Sequence, residues 1–427
     1  MAFGKKLAYI VKVNDVRDIP GADRIQLASV MDYTVVIKKN EYKPGDFGLY
    51  VEVGSVLPDG LSPEDKVTYA AMKDGSFFKD NGVISVEEMD AAKAELQKHS
   101  KYPYFEFLRD KDFYIKSMKL NKFGVISQGI LFKPEDIGLG KVKLGQDFTK
   151  ELCITEKVED EEEAGLNGKK DNFIVRYMMR YAWFRAWRKS HRVAEVWDPT
   201  FPGKSDEENV QKIYSKMYAE HADEEWVATE KLEGQNISIY SENVKGWFGK
   251  ITKRVGVCSR TRELNPDGTG ANFWKTVKRL GLDEKVKNIP GEWWCRGEHV
   301  GPNIQNNIYK LPNTDVIFFD FYRKVEYTDK LNKKAWKWEK LNFEESKKFA
   351  ETWDLKFVPI LDEHYKLPTS TVNDKGVTLS GADIMLQQSD KNTVFGNNLK
   401  HKREGFVLRL KNDYNVSFKV KNPNYSI

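Results

Sequence analysis

The sequence predicts an α+β protein in which a small N-terminal β-barrel precedes a larger α+β domain. The chain has 427 residues, which exceeds the size of one ordinary domain. Hydrophobic residues make up 40% of the chain, enough to form more than one core. Short β-branched runs separated by turns fill the first part, whereas the later part mixes strand and helix patterns. These observations favour at least two domains of different architecture.

The first part of the chain has the pattern of a small barrel. Four β-branched runs lie in it: KLAYIVKVNDV, RIQLASV, TVVIKK and FGLYVEV. The sequences IPGAD and YKPGD punctuate these runs, and their Gly and Pro residues set the turns. Short strands with turns at close spacing are typical of a barrel such as an OB-fold.

A helical insertion interrupts this predicted barrel at about residues 62–104. Its second helical run begins at Ser85 and has Glu88 three residues later, which is the signature of a capping box. Strand character returns in DFYIKSMKL and GVISQGILF. The sequence therefore predicts a first, OB-like domain over residues 1–152, with the helices inside it.

Residues 153–199 form the predicted connector. Its acidic run, EKVEDEEEAGLNGKKDN, is typical of a solvated linker. Residues 173–192 have a helical pattern in which arginines recur at multiples of four and so share one stripe. The stripe consists of Arg176, Arg180, Arg188 and Arg192. This pattern favours a helix packed on a neighbouring domain with its arginines in solvent, and a helix that contacts phosphates is the alternative.

Charge and cysteine content limit the classes of function. The net charge of +5 arises from 69 basic and 64 acidic residues, so any surface that binds nucleic acid must be local. Cys153, Cys258 and Cys295 fit neither a zinc site nor a disulfide framework, so we expect buried, reduced thiols in a cytoplasmic protein. The sequence has the pattern of neither a signal peptide nor a membrane span, so we expect no membrane contact.

The second predicted domain, residues 200–427, contains the run EWVATEKLEGQNISIY. Lys231 lies in this run between strand-like segments, three residues before Gly234. A lysine becomes a nucleophile when burial or neighbouring cations depress its pKa. Taken alone, the run is weak evidence of catalysis, because any pair of strands joined by a turn could contain it.

Four further stretches carry groups that suit a bound nucleotide. Glu298 lies in a glycine-rich turn, the aromatic strand VIFFDFY contains Phe319, and Glu404 precedes the apolar strand GFVLRL. Lys419 and Lys421 are two residues apart on a strand, so they share one face, where an anion between them would explain the paired charges. Together these groups predict nucleotidyl transfer through a lysyl-AMP.

The order of these motifs resembles that of the covalent nucleotidyltransferases: Lys-x-x-Gly, Ser-Arg, Gly-Glu, an aromatic strand, Glu-Gly and Lys-x-Lys. Within that superfamily, EWVATEKLEGQN and GEHVGPNIQNN are most similar to the ATP-dependent RNA ligases. The segments IPGADRIQLASV, KKNEYKPGD, ISQGILF and FPGKSDEENVQ resemble the subgroup that has an OB domain ahead of the nucleotidyltransferase domain. The resemblance covers most of residues 1–61, 105–155 and 200–427.

The resemblance implies a role for each motif residue. Lys231 would attack the α-phosphate of ATP and become the lysyl-AMP. Lys419 and Lys421 would contact that phosphate. Glu298 would hold the ribose hydroxyls, and Glu404 would bind the catalytic Mg²⁺ or Mn²⁺. The two lysines and the metal ion are expected to depress the pKa of Lys231.

Further residues of the ATP site follow from the same resemblance. Glu230 precedes the nucleophile, and Arg260 would contact the nucleotide or a 5′-phosphate. Phe319 would stack on the adenine, with Phe321 on the same predicted face as the rival. Asn236 would serve either the later RNA steps or the capping of a turn. Glu233 stands where the commonest form of the first motif has Asp, which leaves its role open.

The resemblance implies an ATP-dependent ligase, expected to be a monomer, that joins 3′-hydroxyl and 5′-phosphate ends through a 5′-adenylylated RNA. We expect it to seal nicks in RNA-containing duplexes, while RNA ends and RNA/DNA hybrids stay open as substrates. A DNA ligase, a capping guanylyltransferase and a non-catalytic RNA-binding protein are the alternatives. Two roles stay open for four residues of the OB domain. They either contact phosphates and stack on bases, or they form a solvated strand edge; the residues are Lys38, Lys39, Tyr42 and Lys43.

Overall fold

The computed structural model describes residues 6–74, 86–156, 194–196, 201–203, 207–245, 251–260, 262–266, 270–328 and 334–425. Contacts divide the chain into two compact units. The first comprises Met1–Val158 with Ser370–Asp383, and the second comprises Glu159–Thr369 with Ile384–Ile427. The predicted helix over 173–192 and the capping residue Ser85 lie outside the described residues. The predicted boundaries at 152 and 199 stay predictions.

The first unit is a near-closed β-barrel. Its main sheet has the antiparallel order β3-β2-β1-β4-β8. The backbone N–H of Gln128 donates to the Thr34 carbonyl at 2.9 Å, and the N–H of Val36 donates to Ser127 Oγ at 2.9 Å. These bonds bring the β7–β8 segment to edge strand β3, which nearly closes the sheet. The strands are β1 Ala8–Asp18, β2 Ile25–Val30, β3 Tyr33–Lys38, β4 Phe47–Val51, β5 Ser55–Val56, β6 Met118–Leu120, β7 Val125–Ser127, β8 Ile130–Phe132 and β9 Thr155–Glu156.

The helices predicted between β5 and β6 are present. Helix α1 spans Pro63–Asp74, helix α2 spans Val86–Gln97, and a 3₁₀ helix follows over Pro103–Lys111. Tyr69 and Met72 of α1 pack against Leu96 of α2 in a small apolar cluster. The insertion therefore has a core of its own.

The second unit contains two sheets, and the smaller one is formed largely by strands far apart in sequence. One has the order β10-β15-β14-β13-β16-β17-β18, and the other has the order β11-β23-β22-β12-β19. Their strands are β10 Ala194–Val196, β11 Glu208–Asn209, β12 Trp226–Lys231, β13 Gln235–Lys245, β14 Ile251–Cys258, β15 Arg262–Leu264, β16 Trp293–Val300, β17 Asp315–Thr328, β18 Lys334–Lys340, β19 Ile360–Tyr365, β22 Gly405–Leu410 and β23 Ser417–Lys421. Strands β20 and β21 belong to the first unit.

Helices cover one face of the seven-stranded sheet. Trp274, Val286 and Phe349 come from three helices and lie in one apolar core with Phe318 and Phe321 of β17. The last of these helices begins with a capping box between Asn342 and Glu345. The helices of this unit are α3 Val210–His221, α4 Ala271–Arg279, α5 Leu282–Asn288, α6 Phe343–Thr352 and α7 Gly381–Ser389, the last of which begins in the first unit.

A hairpin late in the chain belongs to the first unit. Its strands are β20 Thr371–Val372 and β21 Thr378–Leu379. Val377 is buried in a cluster with Ile19, Leu27 and Val125 of the barrel. Nearby, Thr34 Oγ1 donates to the Asp383 carboxylate at 3.1 Å. The sequence pattern contained no signal that this hairpin joins the barrel, because its position depends on contacts between residues more than 250 positions apart.

The cysteine prediction is partly wrong. Cys258 and Cys295 are free and buried as expected, but Cys153 is exposed. Burial raises the pKa of both buried thiols, so they stay protonated. No helix in the described part of the chain has the length and apolarity needed to cross a membrane.

Candidate active site

Three predicted lysines share one face of the five-stranded sheet. Lys231 ends β12 and lies opposite Gly405 of β22, which in turn lies opposite Lys421 of β23. Lys419 lies opposite Val407, two residues along β22. Directly opposed residues and residues two apart point to the same face of a sheet. The structure thus aligns the predicted nucleophile with the predicted lysine pair.

Close backbone approaches explain two glycines of the motifs. A Cβ on Gly234 would lie 2.4 Å from the His299 carbonyl oxygen and 2.8 Å from Glu298 Cγ. Gly405 has a φ of +151°, and a Cβ there would lie 2.0 Å from the Val420 carbonyl oxygen. Only glycine fits at such positions. These glycines allow the strands that carry Lys231, Glu298 and Glu404 to meet.

Lys231 forms an ion pair with Glu404. Its Nζ lies 2.5 Å from Glu404 Oε1, and the two side chains are 25% and 15% exposed. Burial disfavours the ammonium form, but the carboxylates of Glu404, Glu298 and Glu207 outweigh it and raise the pKa of Lys231. The lysine pair therefore does not depress the pKa of Lys231 as expected, because acidic neighbours dominate the field, and the expected effect of the metal ion stays a prediction.

Glu298 lies beside this pair. It lies on strand β16 rather than in the predicted turn, and opposite Asn236 of β13, so the two predicted residues are neighbours. Burial raises the pKa of Glu298 to about 8, with Glu404 adding to the rise and Lys231 and Arg260 opposing it. Arg260 itself is exposed, just beyond the end of β14. The structure thus brings Asn236, Glu298 and Arg260 together with Lys231.

A β-bulge separates the two candidate phenylalanines. Arg296 pairs with Asp320, but the next residue, Gly297, pairs with Phe318, so Phe319 is the extra residue. Phe321 is fully buried in the helix-covered core. Phe319 is half-buried and packs in a different cluster, on the side of Leu232, which follows the nucleophile. The prediction that they share a face is wrong, and the bulge leaves Phe319 as the candidate platform.

The Glu230 side chain faces away from the lysines. Its carboxylate accepts hydrogen bonds from the Thr393 hydroxyl and, at 2.9 Å, from the Val394 N–H. Burial raises the pKa of Glu230. The side chain therefore holds the 393–394 loop, and its predicted contact with ATP stays a prediction.

Sequence reasoning missed a buried group of charges beside the site. Arg409 is 2% exposed, and its Nε lies 3.3 Å from Asp320 Oδ1 while Nη2 lies 3.5 Å from Glu207 Oε1. Lys340 Nζ lies 2.9 Å from the same Asp320 oxygen. The Arg409 guanidinium also lies 5.7 Å from the Phe319 ring centre. Asp320 lies within VIFFDFY and Arg409 within GFVLRL, but only the fold shows that they meet.

Comparisons with known proteins bear on the two domains of the chain. Residues 224–421 match the RNA ligase family model, and residues 7–77 match an OB-fold domain model. Residues 224–421 therefore form a domain of the RNA ligase family. The OB-fold domain precedes this ligase domain, as predicted. A comparison with curated protein sequences found no match.

Solved structures of a Naegleria gruberi RNA ligase have the same fold as this chain. An apo variant is 23% identical with a TM-score of 0.60, and the match covers 98% of this chain and 97% of that chain. A variant with ATP and Mn is 22% identical with a TM-score of 0.61, and one with AMP and Mn is 23% identical with a TM-score of 0.61. Both matches also cover 98% of this chain and 97% of that one.

The donors around Lys231 suit a hard divalent cation. Among the described residues, no group of three or more histidine, cysteine or acidic side chains is arranged to hold a metal ion. However, Mg²⁺ commonly binds through one or two carboxylates together with substrate phosphates and water. Glu404, with Glu298 beside it, fits that pattern in this ligase.

One expectation about the OB-fold domain is wrong. Tyr42 is 3% exposed and packs in the barrel core, so it cannot stack on a base. Lys38, Lys39 and Lys43 are exposed, and their contact with phosphates stays a prediction.

Proposed function

We propose that this RNA ligase joins 3′-hydroxyl and 5′-phosphate ends of RNA with ATP, through lysyl-AMP and 5′-adenylylated RNA. The observation that carries the proposal is the common face of Lys231, Lys419 and Lys421, with Glu404 2.5 Å from the nucleophile. A nucleophilic amine, cations for a phosphate and carboxylates for a metal ion then surround one position. Nucleotidyl transfer needs this combination.

In the first step the neutral amine of Lys231 attacks the α-phosphorus of ATP. A nitrogen–phosphorus bond forms, the bond to the β-phosphate oxygen breaks, and pyrophosphate leaves. Lys419 and Lys421 neutralise the charge that develops on the α-phosphate oxygens. Glu298 accepts hydrogen bonds from the ribose hydroxyls, and Phe319 packs on the adenine.

The next two steps transfer AMP and seal the break. A 5′-phosphate oxygen of the RNA attacks the phosphorus of lysyl-AMP, which releases Lys231 and forms a 5′–5′ pyrophosphate linkage. A 3′-hydroxyl then attacks the RNA phosphorus, forms the phosphodiester and releases AMP. Asn236 and Arg260, which lie beside Glu298, would serve the RNA in these steps.

Glu404, with Glu298 beside it, would hold Mg²⁺ or Mn²⁺. When bound, the cation supplies positive charge for the phosphates and reduces the acidic field that raises the pKa of Lys231. The Naegleria gruberi structures with ATP and Mn support this choice of nucleotide and metal.

We infer that the substrate is a nick in an RNA-containing duplex and that the enzyme acts as a monomer. Support comes from the OB-fold domain, since such domains bind nucleic-acid strands. Sealing of matched nicks with RNA or DNA on each side of the break tests the substrate. We expect sealing of nicks that have RNA at the break. Equal sealing of all-DNA nicks, or labelling of the protein by GTP but not ATP, would contradict the proposal.

A further inference from the structure

The hairpin of β17 and β18 extends well beyond the predicted ATP site. Ile317 of β17 lies opposite Glu298, and Glu326 lies opposite Trp336 near the far end of β18. Glu326 follows Ile317 by nine positions, which corresponds to about 30 Å along a strand. This distance is comparable to one turn of a nucleic-acid duplex.

One face of this hairpin is the sheet face that contains Glu298. Glu298 and Trp294 are four residues apart on β16, and Trp294 lies opposite Tyr322. Lys324 and Glu326 follow Tyr322 at intervals of two residues, so their side chains continue the same face. Their partners on β18 are Trp338 and Trp336. The register therefore connects the predicted ATP site with two tryptophans.

Aromatic and basic side chains are interleaved on this face. Trp336 is 57% exposed, and Lys334, two residues away, has a side chain that is 80% exposed. Lys324 Nζ lies 5.8 Å from the Trp338 ring centre. Lys334 pairs with Glu326 at 2.8 Å, but an exposed pair contributes little and can be exchanged for a phosphate.

These side chains fit a nucleic acid better than a protein. Lysine is depleted at protein–protein interfaces, whereas aromatic rings between basic residues are typical of surfaces that bind nucleic-acid strands. In the described part of the sheet, β18 is an edge strand, and lysines there discourage pairing with a strand of another protein. That role of the lysines does not explain an exposed Trp336.

We propose that the outer end of the β17–β18 hairpin is a contact surface for the RNA substrate. Trp336 packs on a base or ribose, and Lys334 contacts a backbone phosphate, about one turn from the ends that are joined. This inference rests on the proposed RNA ligase function. It adds a contact that only a substrate with a sufficiently long arm can reach.

The test compares Trp336→Ala with two matched variants on pre-adenylylated nicked RNA duplexes. Tyr327→Ala removes another exposed ring, 42% exposed, from the opposite face of the same hairpin. Trp336→Tyr retains a stacking ring. KM and kcat are measured on duplexes with arms of at least two turns and on duplexes with arms shorter than one turn. Direct titration with the same RNAs measures binding without catalysis.

We expect Trp336→Ala to raise KM about tenfold for long arms, with little change for short arms or in kcat. Trp336→Tyr and Tyr327→Ala should behave like the unmodified enzyme. The proposal would be overturned if Trp336→Ala and the unmodified enzyme had equal KM values on long arms. It would also be overturned if Trp336→Ala raised KM as much on short arms, or if Tyr327→Ala raised KM as much as Trp336→Ala. Lysyl-AMP formation from ATP is measured separately. Its absence in the unmodified enzyme refutes the proposed function, while the titration still tests the surface.

Discussion

The Nζ of Lys231 and the carboxylate of Glu404 are 2.5 Å apart, although 173 positions separate them in the chain. The pairing of β12 with β22 places them together, with Lys231 opposite Gly405. This contact favours the charged, unreactive form of the lysine, because Glu404 raises the pKa of Lys231 against the effect of burial. Activation of the nucleophile therefore requires that a cation occupy the carboxylate or that the pH rise.

The pH dependence of lysyl-AMP formation follows from these shifts. Raised pKa values leave Lys231 an ammonium ion and Glu298 largely neutral at neutral pH. Increasing pH creates the amine and, near pH 8, the Glu298 carboxylate that accepts from ribose. We expect the single-turnover rate to rise from neutral to mildly alkaline pH, with an inflection near 8. In Glu298→Gln, the pH profile of the rate should lose this inflection but keep the rise that is due to deprotonation of Lys231. A flat profile in the unmodified enzyme would refute this account.

Replacement of Phe319 by alanine should impair ATP binding, whereas replacement of Phe321 should impair stability. Phe321 is fully buried, so Phe321→Ala should lower the free energy of unfolding by about 3–5 kcal/mol. Phe319→Ala should instead weaken ATP binding by about 1–3 kcal/mol, the usual contribution of a ring stacked on a base. Denaturant titration and calorimetric titration with ATP separate the two effects. The bulge assignment fails if Phe321→Ala, once folded, loses ATP binding and Phe319→Ala does not.

Arg409 should be important for stability as well as for the site. Arg409→Ala would leave Asp320 with one fewer cation at a position only 1% exposed. The expected cost is about 3–5 kcal/mol of unfolding free energy. Arg323→Ala is the control, because its pair with Glu339 is exposed and should contribute about 0–1 kcal/mol. Chemical denaturation measures both, and equal losses would show that the buried group has no special role.

The hairpin of residues 370–383 should stabilise the barrel unit. Val377 is 3% exposed among barrel residues, so Val377→Ala should cost about 2 kcal/mol. Val372→Ala on the same hairpin is the control, since Val372 is 61% exposed and should cost less than about 0.5 kcal/mol. Hydrogen exchange of the β1 and β2 amides measures the stability of the barrel directly. Unchanged protection in Val377→Ala would contradict the assignment of this hairpin to the unit.

Sequence reasoning predicted the features that depend on local patterns. The barrel strands, the inserted helices and the shared face of Lys419 and Lys421 follow from periodicity and turn residues, and the order of motifs indicated the ligase domain. It could not find the bulge at Phe319, because a bulge depends on the register with β16. It missed Glu207 for a similar reason, since only folding brings that carboxylate to Arg409 and Lys231. The raised pKa of Lys231 likewise needs the positions of three acidic side chains.

The most direct test of the central claim is to locate the covalent AMP. The ligase is incubated with α-labelled ATP and Mg²⁺, digested, and the labelled peptide is sequenced by mass spectrometry. We expect AMP on Nζ of Lys231, no label in Lys231→Ala or Lys231→Arg, and slower labelling at the same position in Lys419→Ala. Label on another residue, or label that persists in Lys231→Ala, would contradict the assignment of Lys231 as the nucleophile.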